Sequence, residues 1–233
     1  MKPALLLLAA ATVGAAGCAS NDLSLSIVQM ESVTPANMCV AMATAGAIGL
    51  GRGVLDVSMV TTAGYIAVPV VKNGLASNLN GVEYNAITVL GANVKLTDAA
   101  GGTLTLPSGQ SSFFYAAVGG RLDPGGTVPI FVEVIPRDAA QALAGMIPAD
   151  GNFTVVAEVQ PVGMHSTDQI VGGAFSFPID LCSGCLLKNS TCPLPKGTVV
   201  TDPCFPQQDV QTLCCTDATS NATLCGSAAP VAM

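Results

Sequence analysis

The chain has no tryptophan and one histidine, and it is short of aromatic residues (4%) and charged residues (10%). Each shortage closes off a class of function. With few aromatics, a platform for stacking sugars has little material, and the evenly scattered acids single out no carboxylate pair for glycosidase chemistry. A nucleophilic triad would have to use His165 as its base, with Ser166 and Asp168 beside it in "VGMHSTDQ". Neighbours in sequence seldom supply triad geometry, and no G-x-S-x-G elbow exists. His165 is therefore expected in a solvated loop between two strands. The 8 lysines and arginines lie singly among 15 acidic residues, which argues against nucleic acid as a partner. Past the N-terminus no long apolar run occurs. The most apolar stretch, residues 40–50, is rich in Gly and Ala and far too short to cross a bilayer. There is no convincing internal repeat. No catalytic residues and no cofactor are expected, and the chain is not expected to be an enzyme.

What is present is apolar and globular. Half of the residues are hydrophobic, whereas disorder needs low hydrophobicity and high charge. The chain opens "MKPALLLLAAATVGAAGCAS": Lys2 provides a positive start, an uncharged apolar run follows from Ala4 to Ala16, and small residues close it. These are the three parts of an export signal, and the run is too short for a membrane-spanning helix.

The end of that run, Ala15-Ala16-Gly17-Cys18, resembles the lipobox of bacterial membrane lipoproteins, departing from the family's pattern in having Ala15 where Leu is favoured. The resemblance implies cleavage before Cys18, a diacylglycerol on its thiol and an acyl chain on its new amine. One acyl chain holds a protein only marginally to a membrane, and stable attachment needs at least two signals. Three chains on Cys18 would anchor the chain without a spanning segment. Ala19 after Cys18 implies outer-membrane sorting by the rule of enteric lipoproteins. Ordinary signal cleavage, leaving a soluble periplasmic or secreted protein, is the alternative. Removal of residues 1–17 takes away Lys2 and leaves 7 basic against 15 acidic residues, a formal charge of −8.

Residues 25–181 read as a β domain. Side chains alternate across a strand, and apolar residues recur at every second position: Leu55/Val57/Met59, Ile66/Val68/Val70, Val128/Ile130/Val132/Val134, Phe153/Val155/Ala157/Val159 and Phe175/Phe177/Ile179. Further strands are expected over 25–29, 87–96 and 113–118. In the second of these the apolar parity shifts around Gly91, which predicts a bulge. Turn chemistry lies at 98–102 and 124–126, and "GLGRG" at 49–53 is a turn, since it lacks the spacing of a dinucleotide fingerprint and precedes a strand. Pro69 and Pro129, which cannot donate to a ladder, predict edge positions or an outward-facing site. The one helix expected is short: "RDAAQALAG", opening at Asp138 and stopping at Gly145. Eight or so strands without βα alternation predict an all-β fold, an immunoglobulin- or fibronectin-like β-sandwich, with a small barrel as the alternative.

The character changes after residue 181. Residues 182–233 hold 7 of the 9 cysteines, strand alternation stops, and prolines recur, so a mostly irregular tail stapled by disulfides is expected. "PQQDVQTLCC" could open as a short helix with Pro206 in its first turn. Setting Cys18 aside leaves eight candidates for pairing: Cys39, Cys182, Cys185, Cys192, Cys204, Cys214, Cys215 and Cys225. Export would place them where disulfides persist. Seven tail cysteines is an odd number, and Cys39 is the only cysteine of residues 25–181, so a bond from Cys39 to a tail cysteine is predicted. Cys214 and Cys215 should take different partners. Cys182-x-x-Cys185 has the first half of a zinc knuckle but lacks a second pair at similar spacing, and it lacks the βαβ context of a redox motif. Met30, Met38, Cys39 and Met42 are soft ligands of the kind that suits Cu(I); the plainer reading makes the methionines core fillers and Cys39 a disulfide partner. Asn152, Asn189 and Asn221 begin N-x-S/T triplets, which matter only in a host that glycosylates them.

The order "FPIDLCSGCL" followed by "PCFPQQDVQTLCC" looks like that of a set of uncharacterised Gram-negative lipoproteins, a resemblance that implies no activity. The chain is thus expected to divide into a leader (1–17), a lipidated tether (18–24), a β-sandwich (25–181) and a stapled tail (182–233). The expected role is that of a lipid-anchored structural or interaction module of the cell envelope, attached to the membrane and open to an envelope protein partner. A Cys/Met protein binding copper or zinc is the first alternative, and an unrecognised hydrolase the second.

Overall fold

The computed structural model describes residues 24–34, 38–41, 49–78, 81–106, 109–149, 151–198, 203–226 and 231. The leader, Cys18 and Met42 lie outside the described residues. The chain is all-β. Its larger sheet has the order β2-β11-β9-β5-β6, built from β2 (Gly53–Asp56), β11 (Phe175–Cys182), β9 (Phe153–His165), β5 (Ile87–Asp98) and β6 (Phe113–Leu122). The β2–β11 pair is parallel and the others are antiparallel. β10 (Asp168–Val171) folds back on the end of β9. Pro161 sits where β9 changes partner, between its last pair with β11 at Val159 and its first with β10 at Val162, so its missing N–H falls in a gap of the ladder.

A second layer is formed by β1 (Leu25–Met30), β4 (Pro69–Asn73) and β7 (Thr127–Pro129) in that order, prolonged by the pair β3 (Tyr65–Ala67) and β8 (Val132–Ile135). Pro69 opens β4, and Pro129 lies on β7 at the end of that order. Ile130 N donates to Pro69 O (3.0 Å), bridging the breaks in both strands. Both layers bury one cluster, with Leu25, Tyr65, Ala67 and Val132 on one side and Val94, Val155, Val159, Phe177 and Ile179 on the other. The Tyr65 and Phe177 rings meet across it with centroids 6.0 Å apart. α1 (Arg137–Leu143) adds Ala139, Ala140 and Leu143 to the same core.

Strand pairing breaks register between Val89 and Gly91 on both sides of β5: against β9 Leu90 is the extra residue, whereas against β6 the extra residue lies on β6, where Val118 and Gly119 fall opposite Leu90. Two expectations at strand level need correction. Leu55, Val57 and Met59 do not share a strand face: β2 ends at Asp56, and Val57–Met59 is a 3-10 turn. The Asp56 carboxylate takes the N–H and hydroxyl of Ser58 (3.1 and 2.6 Å), a local bond that competes with the ladder. In β3 and β4 the residues that join the common core are Tyr65, Ala67 and Val71, opposite in parity to Ile66, Val68 and Val70. Val68 and Val70 are buried as well, on the other face.

The tail is not left irregular throughout. β12 (Leu187–Thr191), β13 (Thr212–Thr216) and β14 (Thr223–Cys225) form a small sheet with β13 in the middle. The expected helix at 206–215 does not form. Residues 206–210 lie flat against β2 instead, and 212–216 are strand.

Candidate functional site: a docked tail, a carboxylate lock and one open edge

The eight cysteines expected to pair are joined as Cys39–Cys204, Cys182–Cys185, Cys192–Cys215 and Cys214–Cys225. Cys39–Cys204 fastens the tail to the segment after β1, and the adjacent Cys214 and Cys215 take different partners. The last two bonds cross-link the small sheet, where too little apolar area is available to hold three short strands together.

Residues 207–209 cover the outer edge of β2. Gln207 O accepts from Asp56 N (2.8 Å) and Asp209 N donates to Val54 O (3.0 Å), as an added strand would. The Gln208 side chain reaches to β3: its Oε1 accepts from Ile66 N and its Nε2 donates to Ile66 O, both at 2.8 Å. One amide side chain thus satisfies both backbone groups of a strand residue. Gln207 Nε2 donates to Gly64 O (3.1 Å). The Asp209 carboxylate accepts from Val54 N (2.8 Å) and from the Tyr65 hydroxyl (2.7 Å). Burial raises the Asp209 carboxyl above its ordinary pKa, more than these bonds lower it. Burial first, and then the Asp209 charge, keep the Tyr65 hydroxyl protonated. The cavity left under the tail holds only about 10 Å³, room for about one water, so the tail is seated and not poised over a ligand pocket.

Asp56 is the knot between tail and domain. Its backbone holds Gln207, while its fully buried carboxylate accepts from Gly184 N (2.8 Å), Leu186 N (3.0 Å) and both Ser58 groups. It thereby fixes the loop that contains Cys182 and Cys185. Asp56, Cys182 and Cys185 bring ligand-type atoms within 4.8 Å of one another, the one such cluster among the described residues. Here the sulfurs are bonded to each other and the carboxylate is saturated by four donors. This arrangement locks a loop.

The other sequence candidates are dispersed. His165, the last residue of β9, lies at the hairpin to β10 and is half-buried, with Nε2 3.4 Å from Asn85 Oδ1; Ser166 and Asp168 are exposed beside it. Met30 is a core residue, Met38 is 84% exposed, and Cys39 is bonded to Cys204, so no soft-ligand set forms among the described residues. Asp56, Tyr65, Gln208 and Asp209 were not anticipated. The only hint in the sequence was "QQD", three polar residues in an apolar chain directly after a proline.

With one edge of the larger sheet covered by the tail, β6 forms the other. Its side chains alternate between inward and exposed, and Phe113 and Tyr115 are 57% and 49% exposed. Next to its second half runs a shallow, mainly apolar groove lined by Leu90, Ala117, Gly119 and Arg121 among others. No family model matches this chain, and neither a curated protein nor a solved structure is similar to it.

Proposed function

We propose that this is an exported, lipid-anchored protein of the cell envelope, whose β domain and stapled tail act as a structural or protein-interaction module. The observation that carries the reading is the pairing of eight of the nine cysteines among themselves. Cys18, at the end of the lipobox-like run, is the one left over. Disulfides persist in oxidising compartments, so four of them support export. No helix among the described residues is long and apolar enough to cross a membrane. On this reading attachment falls to the acyl chains, each methylene contributing about 0.8 kcal/mol when buried. The outer membrane is the proposed destination, with Ala19 after the modified cysteine as the sorting residue.

The role proposed is recognition and scaffolding rather than catalysis. The buried polar groups Asp56, Asp209, Tyr65 and Gln208 are spent on one another, on Ser58 and on backbone, and an exposed sheet edge is a surface that accepts an added strand. Intact mass of the native chain extracted from membranes tests the anchor. The expected result is a chain beginning at Cys18, carrying three acyl chains and eight hydrogens lighter than its reduced form. Cys18→Ser should move the protein to the soluble fraction. A reduced, uncleaved chain recovered from the cytosol would overturn the proposal.

A further inference from the structure

We infer that β6 pairs antiparallel with β6 of a second copy of this chain, about a two-fold axis through Ala117, joining two larger sheets into one. Leu96 N donates to Ser112 O (2.7 Å), which fixes the phase of the β5–β6 ladder. In an antiparallel ladder alternate residues face the partner strand, so Phe113, Tyr115 and Ala117 direct their N–H and C=O away from β5. Ser111 Oγ takes both groups of Phe113, accepting from its N–H (3.1 Å) and donating to its C=O (2.6 Å); the outward groups of Tyr115 and Ala117 have no partner among the described residues. Natural edges are blunted by proline, lysine, a covering segment or brevity. β2 is four residues long and covered by the tail, whereas Phe113–Leu122 has no proline, and its only charge, Arg121, comes at its end.

The occupant is read from the order of side chains on the exposed face. Along β6 the outward residues are Phe113, Tyr115, Ala117, Gly119 and Arg121: two aromatics, a small residue, a glycine and a cation. Antiparallel pairing about Ala117 sets each residue against a complement from the other copy. Phe113 meets Arg121, which places a cation on a ring. Tyr115 is set against Gly119, whose missing side chain leaves room beside it. The groove at Leu90, Ala117, Gly119 and Arg121, about 530 Å³, lies where Phe113 of the other copy would settle. Tyr115 already lies over Gly91 in its own sheet, leaving no space for a Cβ there, so its ring is held in place before pairing. Identical strands paired antiparallel make an isologous, closed contact, so the assembly stops at two.

The test uses the full chain exported with its own leader. In an Ala117→Cys variant the two introduced thiols would sit about 5 Å apart and should yield a disulfide-linked dimer on non-reducing electrophoresis. Phe113→Cys and Arg121→Cys, each about 27 Å from its own symmetry mate, should stay monomeric alone and cross-link when co-expressed. Disulfide mapping of the four native pairs establishes that each variant is folded. The wild-type protein in detergent should sediment as a dimer at tens of micromolar. Ala117→Pro, which deletes an N–H facing away from β5, should be monomeric with its four native disulfides intact, and its thermal midpoint should no longer rise with protein concentration. A monomeric wild type, a folded Ala117→Cys chain that does not cross-link, or an Ala117→Pro chain that remains dimeric would each overturn the inference.

Discussion

Replacing Cys39 and Cys204 together by alanine removes the bond that spans 165 residues of sequence. A cross-link stabilises mainly by restricting the unfolded chain, and a loop of this length is worth about 5 kcal/mol at 25 °C. On the same scale the Cys182–Cys185 pair, only 3 residues apart, is worth about 2 kcal/mol. In the folded state the tail should stay seated without the long-range bond, because Gln207, Gln208 and Asp209 keep their bonds to β2 and β3; the loss acts through the unfolded ensemble. A domain of ordinary stability, about 5–15 kcal/mol, would lose a third or more of it. The assay is guanidinium unfolding of the oxidised proteins followed by far-UV circular dichroism, comparing wild type, Cys39→Ala/Cys204→Ala and Cys182→Ala/Cys185→Ala. The remaining pairs are checked by mass mapping. The long-range variant should show the larger fall in stability, by roughly 3 kcal/mol. Equal losses, or the reverse order, would refute the argument from loop closure.

Asp56→Ala strands two N–H donors of one loop, Gly184 and Leu186. At about 1–3 kcal/mol for each unsatisfied group, a loss of about 2–6 kcal/mol is expected in the same unfolding assay, and a loss under about 1 kcal/mol would show that the carboxylate is not the lock. Asp209 titrates in the opposite sense to a paired surface acid. Its folded pKa lies above the unfolded value, so its contribution to stability is complete below about pH 4 and is lost as pH rises through the folded value. Asp209→Asn removes that titration. The thermal midpoint of the wild type, measured against the variant, should fall as pH rises above about 4, and parallel pH profiles would contradict the assignment.

How much of this could be read in advance depends on the range of the interaction. Val155, Ala157 and Val159 alternate with polar neighbours, and a buried face with period two is a local property of any strand packed on one side. The parity shift at Gly91 is local in the same way, since a bulge leaves its mark in which residues are apolar. The odd number of tail cysteines required a link outside the tail, whatever its geometry. The candidate site was far less legible. Asp56 sits in an alternating run and read as a wet strand residue, yet it is fully buried because the loop at 184–186 and Gln207 arrive from more than a hundred residues away. Gln208 lies in a run that reads as the start of a short helix, but its side chain supplies the bonding that a neighbouring strand would otherwise give β3.

The strands of the tail were hidden for a related reason. Their sheet is held by Cys192–Cys215 and Cys214–Cys225 over only a small apolar cluster around Leu194 and Cys215, too small to mark a hydrophobic period in the sequence. By itself, then, the sequence determined the all-β class, most strand positions and the number of cross-links, because side-chain alternation and cysteine parity need only near neighbours or a count. Which cysteine meets which, that an aspartate closes the domain onto its tail, and that β2 is sheltered while Phe113 and Tyr115 of β6 are exposed were decided only in three dimensions. Sheet order and edge coverage belong to the whole chain, and they are set when distant segments compete for the same backbone hydrogen bonds.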